Sequence, residues 1–352
     1  MSRKTVLNKE NQDTTKEPLF LGKDLSLQRF DRLKYPEFEN LMKQQWELFW
    51  TPFEFSLTKD RNDFKTLSAV EQRIFTKNLQ FQTLMDSVIA RGIPELSNYI
   101  SNPELEACVT TWQFFETIHS YSYTYIIQNV YADPTEILDE CLKDEEILAR
   151  CDSVSKEYDK LRDPTRDVKE QIYLTLISIN ILEAIRFYVS FVCAFWFGDQ
   201  KKMIGNADIV KKIRQDEQKH LSITQSIINI LIKEKSEGFQ ETIKKCESEA
   251  VELFKHAVNE EKAWCDYLFR DGALLGLNSE IMHEYIEWLA DSRMKAIGLP
   301  VQYNVKQSPI KGWILPWMAS KSVQVAPQES EISSYKISAS RNDLEDMDFS
   351  DV

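Results

Sequence analysis

Apolar residues recur every three to four positions along most of the chain, the repeat of a helix with one buried face. The spacing predicts helices near 36–48, 67–91, 103–130, 134–141, 144–160, 167–196, 206–233, 238–270 and 279–296. Ser68 before "AVEQ" predicts a helix start, with a capping box closed by Gln72. Strand-type alternation is scarce. A short extended piece is expected around 301–325, with Pro300, Pro309 and Pro316 in or beside it. No linker interrupts residues 25 to 300, so one all-α domain is expected, spanning 21–325. Residues 1–20 are polar and read as a mobile segment. Residues 326–352 lack an amphipathic period and are rich in Ser, Asp and Glu. Their composition fits a disordered acidic tail or a partner-docking tail anchored by Phe349.

The stretch 172–198, "IYLTLISINILEAIRFYVSFVCAFWFG", is apolar on every side and long enough to span a bilayer. Glu183 and Arg186 sit in its middle, where lipid would make them costly. A central helix of a large soluble bundle has the same pattern, and a buried soluble helix is expected here. Glu183 then needs a partner.

Composition narrows the function. The chain has 352 residues, 43% hydrophobic and 28% charged, with a formal net charge of −13. That charge argues against a direct nucleic-acid binder. Only 9 glycines occur and no phosphate-cradling glycine loop appears. The six cysteines form no CxxC pair and the start "MSRKTVLNKENQ" is not an apolar signal, so a cytoplasmic location is expected.

Four histidines occur, and three of them close an ExxH: Glu116/His119, Glu217/His220 and Glu280/His283. This spacing puts two ligand types on one side of a helix. At about 100° per residue, Glu280 and His283 share an arc with Glu284 and Glu287, a wet face. His256 also sits among charges, between Glu252 and Glu260. The other two pairs face inward. Glu116 and His119 share their arc with Trp112, Tyr123, Ile126 and Ile127; Glu217 and His220 share theirs with Ile213, Leu221, Thr224, Ile227 and Ile228. Two more acids lie on apolar helices, Asp86 about 30 residues before Glu116 and Glu183 about 34 before Glu217. The repeat is acid, interval, ExxH, twice over. Four helices would gather four carboxylates and two imidazoles around one point, the pattern of di-metal carboxylate bundles. Four carboxylates balance two divalent cations, and this donor set suits iron or manganese better than structural zinc.

Tyr123, four residues after His119, returns to the same face, whereas Tyr121 and Tyr125 point to the opposite half. Spacing alone leaves Tyr123 either a core tyrosine bonded to a ligand or a redox-active phenol.

The segments "LMDS", "ETIHSYSYT", "LEAIRFYVSF", "DEQKHL" and "VQVAPQESEISSY" together resemble the small, radical-generating subunit of class I ribonucleotide reductase, over nearly the whole chain from "FWTPFEF" onward. The resemblance implies a ferritin-like helical bundle with a di-metal carboxylate site in a four-helix core, additional helices, and a homodimer. It implies two iron ions per chain, manganese being the alternative, that react with O2 to leave a tyrosyl radical. Asp86, Glu116, His119, Glu183, Glu217 and His220 would be the ligands, the same six that periodicity selects. Tyr123 would carry the radical in an apolar pocket of Phe187, Phe191 and Ile213. His119, Asp216 and Trp50 would begin a relay, with Tyr335 continuing it across the interface to a large catalytic subunit held by the C-terminal tail. Tyr121 and Gln215 depart from the family pattern, standing where arginine is frequent. Neither is a ligand; both bear on polar surroundings of the site.

The implied role is support of ribonucleoside diphosphate reduction, an oxidoreductase function in deoxyribonucleotide supply. The alternative is another ferritin-like di-metal oxidase acting on a lipid or small molecule. It would not need Trp50, Asp216 and the Tyr335 tail, and would want an open apolar channel. Iron storage would need shell assembly, and a scaffold would bind no metal.

Overall fold

The computed structural model describes residues 5–163, 165–310 and 312–318. Tyr335 and the 326–352 tail lie outside the described residues. The elements are helices: α1 (Pro36–Glu47), α2 (Thr58–Thr66), α3 (Ala69–Ser97), α4 (Pro103–Val130), α5 (Pro134–Cys141), α6 (Glu145–Asp159), α7 (Val168–Ile181), α8 (Tyr188–Asp199), α9 (Ile204–Lys233), α10 (Gln240–Phe269), α11 (Ser279–Ala296) and the short α12 (Leu315–Met318). A π-helical segment, Leu182–Arg186, joins α7 to α8. Among the described residues there are two isolated β-bridges and no strand.

Two helix pairs form the core. α3 packs along α4, and the α7–π–α8 rod packs along α9; α3–α8 and α4–α9 contacts join the pairs. α1, α6, α10 and α11 pack around them. The rod holds the apolar stretch, and 94% of its most apolar window is buried inside the protein. Fully burying one large apolar side chain contributes about 1.5–3 kcal/mol, which gives such a rod reason to sit at the centre. Arg186 finds its partners there: it donates to Glu260 at 2.6 Å and to Ser153 at 3.2 Å. Beside it, Arg150 is ion-paired to Glu261 and lies 3.5 Å above the Phe81 ring.

The helices differ from the sequence expectation in a few informative places. α3 runs on to Ser97, past Gly92 and Pro94, because Ile93 and Leu96 are buried and their packing outweighs the lost hydrogen bond. The capping box at Ser68 is closed by Glu71, not Gln72. Ser68 Oγ accepts from the Glu71 amide and Glu71 Oε2 accepts from the Ser68 amide, because the third helical residue is the one that reaches back. Gln72 instead donates to the carbonyls of Phe64 and Leu67. The 167–196 helix is interrupted by the π segment, and no extended strand forms at 301–310. Pro316 falls in the first turn of α12, where its missing N–H removes no helical bond.

Helix α2 has no apolar stripe to announce it, yet it sets the start of α9. α9 begins at a left-handed Met203 with no side-chain cap of its own. Asp60 of α2 supplies one, accepting from the amides of Gly205 at 3.0 Å and Asn206 at 2.7 Å. The approach requires glycine, since a Cβ at Gly205 would meet the Ser56 carbonyl at 2.6 Å. This junction anchors the helix that carries Glu217 and His220. At the N-terminal side, Leu19 and Phe20 belong to the packed body, with the Leu19 amide donating to Glu237 at 2.6 Å.

Candidate metal centre

Each core element brings its own group to one point. α3 supplies Asp86, α4 supplies Glu116, His119 and Tyr123, the π segment supplies Glu183, and α9 supplies Asp216, Glu217 and His220. All except Asp216, which is 2% exposed, are fully buried. An ordinary α-helical register is interrupted at Glu183, and such π turns inside α-helices are frequent at functional sites.

Two overlapping groups of ligand atoms result, Glu116–Glu183–Glu217–His220 and Asp86–Glu116–His119, each with its atoms within 4.8 Å of one another. Glu116 belongs to both. His220 Nδ1 lies 2.8 Å from Glu217 Oε2 and 3.0 Å from Glu116 Oε1. His119 Nδ1 lies 3.2 Å from Glu217 Oε1 and 3.5 Å from Glu116 Oε2. Both imidazoles thus turn the same nitrogen toward the carboxylates.

The electrostatics are those of a site built for cations. Burial, then the Glu116 charge, pushes the Asp86 carboxyl well above its usual range; burial, then Glu217, does the same to Glu183. Burial opposes charge on the His119 ring, but Glu217, Asp216 and Glu116 hold its pKa well above the ordinary value. Both carboxylate oxygens of Asp86 and of Glu183, and one each of Glu116 and Glu217, have no hydrogen-bond partner. Buried acceptors without partners cost about 1–3 kcal/mol each, more for charged groups. Two divalent cations would give these oxygens the partners they lack, so the residues fit a di-metal centre.

The surroundings orient the ligands. His119 Nε2 lies 3.1 Å from Asp216 Oδ2, and Trp50 Nε1 donates to that same oxygen at 2.7 Å. A carboxylate on the second nitrogen of a histidine fixes its ring and tautomer. Trp112 shares the Glu116 arc of the helical wheel. It donates to Glu116 Oε1 at 2.7 Å and stacks on His220 at 5.1 Å. Its signal was the four-residue spacing to Glu116. Gln82 had no such signal; its amide donates to the Tyr123 hydroxyl at 3.2 Å from another helix.

Tyr123 is fully buried, and burial, then the Asp86 charge, holds its phenol well above the usual range. Tyr121 is 49% exposed and Tyr125 donates to the Phe55 carbonyl at 3.3 Å, so both lie on the other side of α4. Phe187, Phe191 and Ile213 are fully buried, the two phenyl rings stacked at 5.8 Å. The third ExxH stays apart, with His283 on the Lys262 carbonyl and Asp266; His256 pairs with Glu260.

Residues 28–309 match the family described as ribonucleotide reductase, small chain. The chain is 41% identical to the ribonucleoside-diphosphate reductase subunit beta of Haemophilus influenzae, with 99% of this chain and 98% of that protein covered. Among solved structures, the ribonucleotide reductase R2 subunit of Clostridium botulinum superposes with a TM-score of 0.82 at 30% identity, covering 90% of this chain and 99% of that one. A dimanganese(II) protein of Streptococcus sanguinis superposes with a TM-score of 0.71, covering 83% and 98%; its 19% identity speaks for the fold alone. A lipid or small-molecule oxidase, iron store or scaffold is thereby set aside. The chain belongs to the ribonucleotide reductase small-chain family, a ferritin-like oxidoreductase subunit that generates the radical for ribonucleotide reduction.

Proposed function

We propose that Asp86, Glu116, His119, Glu183, Glu217 and His220 hold two iron ions and that Tyr123 stores the oxidising equivalent as a tyrosyl radical. The observation that supports this most is the set of buried carboxylate oxygens without partners, gathered beside one fully buried phenol. When bound, the metal pair supplies activation of O2 and oxidising power at that point.

The chain's own residues do the rest. Tyr123 would give up one electron to the oxidant that the bound metals supply and its phenolic proton toward Asp86, the carboxylate whose charge weighs most on the phenol. The Gln82 amide, already a donor to the phenol oxygen at 3.2 Å, still donates after the proton has left. Phe187, Phe191 and Ile213 exclude water and reductants from the radical. Asp216 holds both the His119 ring and the Trp50 indole, so a proton on the indole nitrogen has an acceptor 2.7 Å away while an electron passes inward. Tyr335 carries the equivalent onward, and the 326–352 tail docks on the large catalytic subunit, where the ribonucleoside diphosphate is reduced. Domain limits of 1–20, 21–325 and 326–352 accompany this division of labour. A cytoplasmic location accords with six buried free cysteines among the described residues.

A homodimer is part of the same reading. Trp46, Phe49, Phe53, Phe114 and Tyr121 are exposed together, with Phe49 on Phe114 at 6.2 Å and Phe53 on Tyr121 at 5.7 Å. Between Ala107 and Val130 the only charged or imidazole side chains, Glu116 and His119, are buried, so the outer face of α4 is neutral. A contiguous apolar face of this kind suits a second copy of the chain.

The test is to load the metal-free protein with Fe(II), admit O2 and record the EPR spectrum. A tyrosyl signal is expected, lost in Tyr123→Phe and kept in Tyr121→Phe. A signal that survives Tyr123→Phe unchanged would overturn the assignment. Truncation before Tyr335 is expected to keep the radical and abolish reduction by the mixed subunits.

A further inference from the structure

α6 carries a second buried phenol that the reaction above does not use. Tyr158 is 5% exposed and its hydroxyl has no hydrogen-bond partner. Its ring lies flat on α3 at Gly92, where a Cβ would come within 2.6 Å of three ring carbons. A glycine inside a helix costs about 1 kcal/mol relative to alanine, so the ring's seat explains an otherwise unfavourable residue. On its outer side the ring closes a cleft of about 230 Å³ between α3 and α6, lined by Val88, Glu95, Ser155 and Arg162 among others. On its inner side α6 packs along α3, the helix that carries Asp86, and burial, then the charges of Glu183, Glu116 and Glu217, hold the Tyr158 phenol well above the ordinary range. Tyr158 is thus a buried ring lining the α3–α6 cleft and seated on the helix that carries Asp86.

We propose that the α3–α6 cleft is the way in for a small uncharged reactant, with Tyr158 as its inner door. The inference rests on the metal-centre reading and adds to it the route and the residue that controls it. Arg91 and Arg162 line the cleft together with Glu95 and Asp159, and Arg162 is paired to both acids, so the charges around it balance. A larger cleft of about 400 Å³ between α6, α7 and α10 is a poorer route. Arg186 and Glu260, ion-paired at 2.6 Å, stand among its apolar lining of Val154, Ile181 and Leu253, so a reactant entering there would have to pass a buried charged pair. A phenol ring on a glycine can swing by rotation about its own side-chain bonds, with no helix displaced.

Nitric oxide, a neutral diatomic probe, tests this on the Fe(II)-loaded full chain without O2, its association followed by stopped-flow absorbance. Tyr158→Ala should speed association about tenfold, and Tyr158→Trp should slow it about tenfold. Tyr158→Phe should leave the rate within about twofold of the parent, because a door acts by its ring and not its hydroxyl. Circular dichroism and iron stoichiometry establish that each variant is folded and loaded. Normal iron binding with the same rate in all four proteins overturns the door and leaves the metal centre standing. Failure of the parent chain to bind iron overturns both.

Discussion

The indole nitrogen of Trp50 donates to Asp216 Oδ2 at 2.7 Å, although the two residues are 166 positions apart. The same oxygen meets His119 Nε2 at 3.1 Å, and the indole and imidazole rings stack at 6.4 Å. One carboxylate thus couples a buried tryptophan to a histidine of the carboxylate cluster. Asp216→Asn keeps the shape but removes the charge that both N–H groups share. Tyr123 radical formation should persist, while turnover with the large subunit falls on the order of 10–100-fold. Parallel EPR and turnover assays check this. Equal turnover in Asp216→Asn and Trp50→Phe to that of the parent would remove the relay.

Glu183 is a buried acid with two oxygens lacking hydrogen-bond partners, a placement that costs stability and that a bound cation would offset. Glu183→Gln should raise the melting temperature of the metal-free protein by a few degrees, the scale of about 1 kcal/mol in a domain of this size. The same change should erase much of the stabilisation by added metal, worth about 4 kcal/mol at a thousandfold excess over Kd. Calorimetry with and without Mn(II) reads both effects. A variant that melts lower without metal and shifts as the parent does with it would contradict the assignment.

Asp208, in the opening turns of α9, has its carboxyl raised to about 6, chiefly by burial, with Lys211 opposing and Asp60 adding. Its folded pKa exceeds its unfolded value of 3.8, so the native state gains from the proton at low pH and loses that gain as pH rises through 6. Asp208→Asn should therefore stabilise the protein above pH 7 by on the order of 1–2 kcal/mol, discounted for partial exposure. The gain should vanish near pH 4. Urea midpoints at several pH values test the sign; a gain that grows toward acid would reverse it.

Phe114 is 52% exposed in the middle of the neutral α4 face. Phe114→Glu puts a charge where a second copy would bury an aromatic ring. The variant should sediment as a monomer at concentrations where the parent is a dimer, with helix content retained. Unchanged sedimentation would place the dimer face elsewhere.

Much of the site was legible in the chain because helices carry a period. A residue's angle around a helix follows from its number, so Glu116, His119 and Tyr123 share a face by arithmetic, as do Glu217 and His220. Apolar neighbours on that face then imply burial, and buried acids imply cations. The resemblance of the motifs supplied the relay's members and the name of the chemistry. What arithmetic within one helix does not contain is the relation between helices. The bonds of Gln82 to Tyr123 and of Trp50 to Asp216 join different elements, and no spacing encodes them. The π turn at Glu183 and the Asp60 cap on α9 arise where packing outweighs local propensity. Sequence periodicity alone determined which side chains face inward; only the packed tertiary structure decided which of them touch, because those contacts are set by how rigid helices dock.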